Sequence, residues 1–69
     1  MSRLELLGQN IKKYRNKIAM SQEVLAGFVG LSREYILRIE KGQKYVSLKK
    51  IFEIADVLKV DIKDLMNFK

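Results

Sequence analysis

The chain of 69 residues contains no cysteine and no histidine, and its 14 lysine and arginine residues outnumber its 8 acidic residues to give a formal net charge of +6. The two absences exclude disulfides, thiol chemistry, the common zinc ligand sets and the default general base near neutral pH, so we expect neither an enzyme nor a bound cofactor or metal. A chain this short forms one domain that buries only about 60% of its unfolded surface, so a partner would add to its stability.

No segment is predicted to enter a membrane. No apolar run approaches the roughly 20 residues that span a bilayer, and the N-terminal sequence MSRLELLG contains an acidic residue and lacks the apolar centre of a signal peptide. We therefore expect a cytoplasmic protein.

The positive charge is concentrated in the first two thirds of the chain. Residues 1–44 carry nine basic and four acidic side chains, a balance of +5, whereas residues 45–69 carry five and four, a balance of +1. A concentrated excess of this kind is typical of a surface that binds a polyanion. A basic face that serves only solubility is the alternative.

The first predicted helix runs from about Arg3 to Ile18. Apolar side chains recur in it at steps of three and four and so predict a core-facing stripe. These residues are Leu4, Leu7, Ile11, Tyr14 and Ile18. Gly8 lowers the helix propensity slightly, and the basic later turns suit the negative end of the helix dipole without implying a ligand.

Two short helices joined by a tight turn are predicted at about residues 21–41. Ser21 and Ser32 are their N-caps, because a serine oxygen accepts hydrogen bonds from the free N–H groups that open a helix. Gly30 adopts a positive φ without steric cost and therefore ends the first of these helices. The residues predicted to pack between the two helices are Ala26, Ile36 and Ile39.

The second of these helices, Ser32 to about Lys41, is predicted to present a polar face to solvent. At 100° per residue with the isoleucines inward, its outward residues are Glu34, Leu37, Arg38 and Lys41, with Arg33 at one edge and Tyr35 at the other.

Several of these outward residues suit a DNA major groove. Arg33 opposes the helix dipole with no structural return, whereas its guanidinium can bind guanine O6 and N7 with two donors. Leu37 could contact a thymine methyl group. Glu34 could accept from a cytosine amino group, although favouring the helix N-terminus and holding Arg33 or Arg38 explains it better. Tyr35 could belong to the core or contact a phosphate.

Two further helices are predicted after Gly42, which ends the preceding one. Ser47 caps the fourth helix, and Asp61, with Asp64 three residues later, caps a short fifth helix. The apolar residues of the fourth helix are predicted to be more core than surface. They are Leu48, Ile51, Phe52, Ile54, Ala55 and Leu58.

The ordered set of these features resembles the helix-turn-helix domain of the phage repressor and Cro-like DNA-binding family over roughly Ile11 to Leu65. Matching positions include Arg15, the SQEVLA of 21–26, Gly30, Ser32-Arg33, the IEKG of 39–42, Ser47-Leu48, the IADVL of 54–58, Asp61-Ile62 and Asp64-Leu65. Ala19 and Lys59 stand where the family usually has glycine. Either Ala19 takes a strained φ or that turn has another shape.

The resemblance implies a compact five-helix, all-α DNA-binding domain and assigns roles to individual residues. Arg15 would pair with Glu40, although Arg15 could also be one more surface cation. Gln22 and the loop residues Gln43 and Lys44 would contact the DNA backbone. The full set predicted to contact bases is Arg33, Glu34, Leu37 and Arg38, and the set predicted to contact the backbone is Gln22, Ser32, Tyr35, Lys41, Gln43 and Lys44.

The implied function is that of a transcription regulator, either repressor or activator, that binds a palindromic operator on double-stranded DNA. Phage repressors, antitoxins and the controller proteins of restriction-modification systems share this short architecture, and the SRxYI…IE…VSL pattern resembles the controllers most. A small basic module that binds an acidic protein or an anionic membrane surface is the alternative. An RNA-binding protein fits less well, because the aromatic residues lie mostly on core-like faces.

We also predict a two-fold homodimer formed through the end of the chain. Large apolar side chains there have no further chain to cover them: Ile62, Leu65, Met66 and Phe68. Dimerisation would place the two Ser32 to Lys41 helices, the recognition helices of the two subunits, about 34 Å apart, one turn of DNA. In the alternative, Leu65 and Met66 fold back under the fourth helix and only Phe68 is exposed.

Overall fold

Five α-helices make up the computed structural model, which describes residues 1–68. They are α1 (Arg3–Lys17), α2 (Gln22–Val29), α3 (Arg33–Glu40), α4 (Leu48–Leu58) and α5 (Ile62–Leu65). No strand occurs within these residues, and none of their helices is long and apolar enough to cross a membrane. The predicted all-α, five-helix fold is confirmed, and the residues predicted to end α1 and α3, Ile18 and Lys41, are the C-caps of those helices.

Serine side chains begin the first four helices. These N-caps are Ser2, Ser21, Ser32 and Ser47. Each hydroxyl accepts a hydrogen bond, 3.0–3.1 Å long, from the N–H of the residue three positions later. Because such a cap stabilises a helix by about 1 kcal/mol, these local signals locate the helix starts without help from the rest of the chain.

Four residues in the helix-to-helix connections adopt a left-handed backbone conformation. Gly30 and Gly42 have φ values of 70° and 74°, and Gly30 ends α2 as predicted. Ala19 and Lys59 have the same conformation, with φ values of 55° and 60°. The strained alternative for Ala19 is therefore correct, and each of these two side chains costs about 1–2 kcal/mol.

The hydrophobic core lies between all five helices. Its fully buried side chains are Ile11, Leu25, Ile36, Ile39, Ile54, Leu58 and Leu65. Three residues predicted to lie in the core do not. Leu48 and Phe52 are 60% and 48% exposed on one side of α4, and Ile18 is exposed because α1 ends before it.

The first helix packs its backbone directly against the end of α3. A Cβ atom on Gly8 would lie 2.6 Å from the carbonyl oxygen of Glu40, and a Cβ atom on Gly42 would lie 2.6 Å from Cγ of Glu5. Real Cβ atoms do not approach so closely, so Gly8 is required by packing, whereas its sequence context indicated only a weakened helix. The two glycines allow α1 to hold the C-terminal end of α3.

The end of the chain folds back onto the core. Leu65 is 0% exposed, so its predicted place in an exposed apolar cluster is wrong. The Asn10 side-chain amide donates to the carbonyl oxygens of Leu65 and Asn67 at 2.8 and 2.9 Å and fixes this segment against α1. Ile62 and Phe68 are half-buried against the core, and Met66 remains 42% exposed. The alternative prediction was thus correct for the burial of Leu65, but the exposed residue is Met66 and not Phe68.

Candidate nucleic-acid interface

The third helix presents one polar face to solvent. Its inward face is anchored by Ile36 and Ile39, which are fully buried beneath α1 and α2. The exposed side chains on the other side are Arg33, Glu34, Arg38 and Lys41, with Leu37 and Tyr35 half-buried at its edges. The predicted orientation of the helix is the observed one, and its exposed surface carries three cations and one carboxylate.

Two side chains of this face form an ion pair one helical turn apart. The Nε atom of Arg38 donates to Oε1 of Glu34 at 3.2 Å, and Nη2 of Arg38 lies 3.1 Å from the same oxygen. Both side chains remain about half exposed, at 47% for Arg38 and 59% for Glu34. Of the two roles considered for Glu34, holding Arg38 is thus the one seen in the free protein.

Arg15 and Glu40 form a buried ion pair below this face. Nε of Arg15 donates to Oε2 of Glu40 at 2.7 Å, and Nη2 donates to Oε1 at 3.0 Å, so the pair is bidentate. The two side chains are only 8% and 3% exposed. Nη1 of Arg15 also donates to the carbonyl oxygen of Met20 at 2.8 Å. One guanidinium therefore ties the α1–α2 connection to the end of α3.

Gln22 joins this network from the start of α2. Its Nε2 donates to Oε1 of Glu40 at 2.9 Å, which leaves the second Nε2 hydrogen for another acceptor. The side chain borders an open groove of about 450 Å³ lined by Arg15, Ser21, Gln22, Glu23 and Arg33. Because Ser21 caps α2 and Arg33 opens α3, the positive ends of two helix dipoles meet at this groove.

The loop after α3 is held to that helix by Tyr35. The hydroxyl of Tyr35 donates to the carbonyl oxygen of Tyr45 at 3.2 Å, and Nζ of Lys44 lies 5.9 Å from the centre of the Tyr35 ring. The backbone N–H of Gln43 donates to the carbonyl oxygen of Arg38 at 2.8 Å. Gln43, Lys44 and Tyr45 are all exposed beside α3. Tyr45 was not among the predicted residues of this surface, although an aromatic residue next to Lys44 was a usable signal.

Lys50 is a second residue whose role was not predicted from the sequence. Its Nζ donates to the carbonyl oxygen of Val29 at 2.6 Å and to Oε1 of Glu53 at 2.7 Å. The first bond satisfies a carbonyl at the end of α2, and the hydrogen bond from Lys50 lowers the pKa of Glu53 below its ordinary 4.5. The turn between α2 and α3 is thus fixed from α4.

Residues 1–68 contain no cluster of acidic side chains that could hold a metal ion. Apart from the carboxylates of Glu23 and Glu34, the exposed groups of this surface are cations, amides, hydroxyls and the N-terminal ends of α2 and α3. Each of these groups suits a phosphate or a base edge.

Comparison with known proteins agrees with this geometry. A family model described as helix-turn-helix matches residues 11–65. The chain belongs to this helix-turn-helix family. It is 45% identical over 64 residues to the control protein C.BamHI of Bacillus amyloliquefaciens, a match that covers 91% of this chain and 79% of that protein.

Two further relatives place the chain among transcription regulators. It is 45% identical over 58 residues to an HTH-type transcriptional regulator of Archaeoglobus fulgidus, covering 84% of this chain and 82% of that protein. The crystal structure of the restriction-modification controller protein C.AhdI from Aeromonas hydrophila superposes with a TM-score of 0.85 and 37% identity. That match covers 90% of this chain and 94% of C.AhdI. The predicted resemblance to this class of regulators is confirmed.

Proposed function

We propose that this helix-turn-helix protein is a sequence-specific transcription regulator that binds a palindromic operator as a homodimer and controls a restriction-modification system. The observation that carries the proposal is the exposed polar face of α3, flanked by the groove at Gln22 and by the loop at Lys44. Its similarity to C.BamHI and C.AhdI supports the narrower assignment.

In this proposal the α3 face contacts base edges in the major groove. The guanidinium groups of Arg33 and Arg38 can each bond guanine O6 and N7. Leu37, half-buried at the edge of the face, offers its methyl groups to a thymine methyl. Lys41, at the C-cap of the same helix, is exposed and can contact a phosphate.

Backbone contacts come from the two sides of the α3 face. Gln22 offers its remaining amide hydrogen to a phosphate at the groove, where the helix N-termini of Ser21 and Ser32 favour an anion. The Ser32 hydroxyl accepts from the Tyr35 N–H and keeps its own proton for donation. On the other side, the Tyr35–Tyr45 hydrogen bond fixes the loop so that Gln43 and Lys44 approach the next phosphates.

The dimer surface proposed from the structure differs from the predicted one. Leu65 belongs to the core of each subunit, so it cannot form the interface. Leu48 and Phe52 lie four residues apart on one side of α4, and Met66 follows α5. These exposed apolar side chains, with Ile62 and Phe68 partly exposed, are the surface that a second copy would cover. Two copies also supply the second recognition helix that a palindrome requires.

Selection of bound duplexes from a random pool at about 0.15 M salt tests the proposal. We expect enrichment of a palindromic consensus. A protein that binds an acidic partner or a membrane surface would enrich no sequence, and that result would contradict the proposal.

Two substitutions separate base contact from backbone contact. Arg33→Ala should weaken binding to the selected duplex by about 1–3 kcal/mol and relax the preference at one base pair. Lys44→Ala should weaken binding to all duplexes alike and reduce the salt slope by about one unit. Equal effects of both variants on selected and random DNA would refute this division of roles.

Sedimentation at tens of micromolar, a concentration suited to weak dimers, tests the dimer. We expect the wild type to dimerise and Phe52→Asp with Met66→Asp to be a folded monomer. Phe28→Asp is the control, because Phe28 has the same side chain as Phe52 and is more exposed but lies on α2. A monomeric wild type, or a double variant that still dimerises, would contradict the proposed interface.

A further inference from the structure

We propose that Glu34 determines the selectivity of this surface by acting on Arg38 rather than by contacting a base. The inference rests on the proposed function and adds a positioning residue to it. In this mechanism Glu34 orients the Arg38 guanidinium and cancels its charge. Arg38 then strengthens the binding of the protein to DNA that has the matching base pair, and adds little to its binding to DNA of any other sequence.

The geometry of the pair sets the orientation of the guanidinium. One oxygen of Glu34 accepts from Nε of Arg38 at 3.2 Å and lies 3.1 Å from Nη2. A guanidinium has five N–H donors, and this contact uses only those on the Nε side. The hydrogens on Nη1 and the outer hydrogen on Nη2 remain available, and they are the two-donor edge that fits guanine O6 and N7.

Fold stability gives this carboxylate only a modest role, because an acidic side chain in the first turn of α3 gains about 0.3–1 kcal/mol from the helix dipole. The pair is about half exposed on both sides, and exposed ion pairs four residues apart contribute little to folding. A serine already caps α3, since the Ser32 hydroxyl accepts from the N–H of Tyr35. On a face that meets phosphate groups, an uncompensated carboxylate would oppose binding. The ion pair with Arg38 compensates the charge of Glu34 and gives this carboxylate a function on the DNA-binding face.

The charge balance of the face predicts the effect on random DNA. The exposed cations of the α3 surface are Arg33, Arg38 and Lys41, and Glu34 is its one exposed carboxylate, because Glu40 is buried against Arg15. The net charge offered to phosphates is therefore +2 rather than +3. Affinity for DNA of random sequence rises with this net charge, because it comes from phosphate contacts. Hydrogen bonds to a base depend less on the net charge.

Glu34→Gln tests the inference, because it keeps the shape of the side chain and removes the charge. Its affinity for a scrambled duplex should rise about fivefold at 0.15 M salt, and the salt slope should steepen by about 0.9, the value for one additional charge. Affinity for the selected duplex should rise less, so that the ratio of selected to scrambled affinity falls. Asp56→Asn makes the same charge change on α4 and is the matched control, for which both affinities should change little and together.

A double-variant cycle with Arg38→Gln shows whether Glu34 acts through Arg38. In the Arg38→Gln background, Glu34→Gln should no longer lower the selected-to-scrambled ratio. A ratio that falls equally in both backgrounds would show that Glu34 contacts a base itself and would overturn the inference, as would equal gains for both duplexes in the single variant. If the wild type prefers no duplex at all, the proposed function fails before any variant is compared.

Discussion

Removing either member of the buried Arg15–Glu40 pair should destabilise the protein strongly. The bidentate contact at 2.7 and 3.0 Å is shielded from water, so Arg15→Ala leaves a buried carboxylate and Glu40→Ala leaves a buried guanidinium. Each single substitution should cost about 3–5 kcal/mol. A 69-residue domain has a total stability of only about 3–10 kcal/mol, so either variant should lie close to unfolding.

The double variant should lose less than the sum of the two single losses. Neither charge is then stranded, although the Met20 carbonyl and the Gln22 amide still lose a partner. We expect a shortfall of about 1–3 kcal/mol, the range found for residues in direct contact.

Urea denaturation followed by far-UV circular dichroism measures this cycle. Melts at several protein concentrations separate the contribution of self-association from that of folding. Glu34→Ala and Arg38→Ala form the matched control cycle, because that pair is exposed and its coupling should stay below about 0.5 kcal/mol. Losses from Arg15→Ala and Glu40→Ala that add to within about 0.5 kcal/mol would refute the reasoning.

Three further predictions concern stability. Gly27→Ala should stabilise the folded protein by about 0.5–1 kcal/mol in urea melts, since Gly27 lies in a helix and an added Cβ would meet nothing within 4 Å. Gly8→Ala should destabilise the protein, because the added Cβ would collide with α3. Equal effects of the two substitutions would contradict this packing. Lys59→Gly should raise the melting temperature by relieving a φ of 60°, and no rise would show that the strain is negligible. The hydrogen bond from Lys50 lowers the pKa of Glu53 in the folded state, so the stabilisation from this pair is present above about pH 4.5 and is lost as the pH falls. Glu53→Gln should therefore make the free energy of unfolding depend less on pH in the acid range. An unchanged pH profile would show that the pair does not contribute to the acid dependence of stability.

The family resemblance and the tertiary structure each explain a different part of the network around Arg15 and Glu40. The family pattern implied the pair, but nothing local to either residue predicts a partner 25 positions away. The structure added the bonds to Met20 and Gln22, and with them the connection between the core pair and the groove at α2. These contacts depend on how three helices meet, which sequence spacing does not describe.

The sequence by itself determined where the helices begin, where they turn and which face of α3 is buried. Serine caps, Gly30 and the spacing of Ile36 and Ile39 act within one or two helical turns, so their effects are local and were predicted correctly.

Only the tertiary structure decided which apolar residues away from α3 are covered. Leu65 is buried where α5 packs against α1 and α4, and Asn10, 55 residues earlier, holds the end of the chain there, whereas Leu48 and Phe52 have the same apolar character and remain exposed. The need for Gly8 likewise follows from the end of α3, about 30 residues later in the chain. Burial depends on which helices pack together, and that is a property of long-range contacts that periodicity within one helix does not contain.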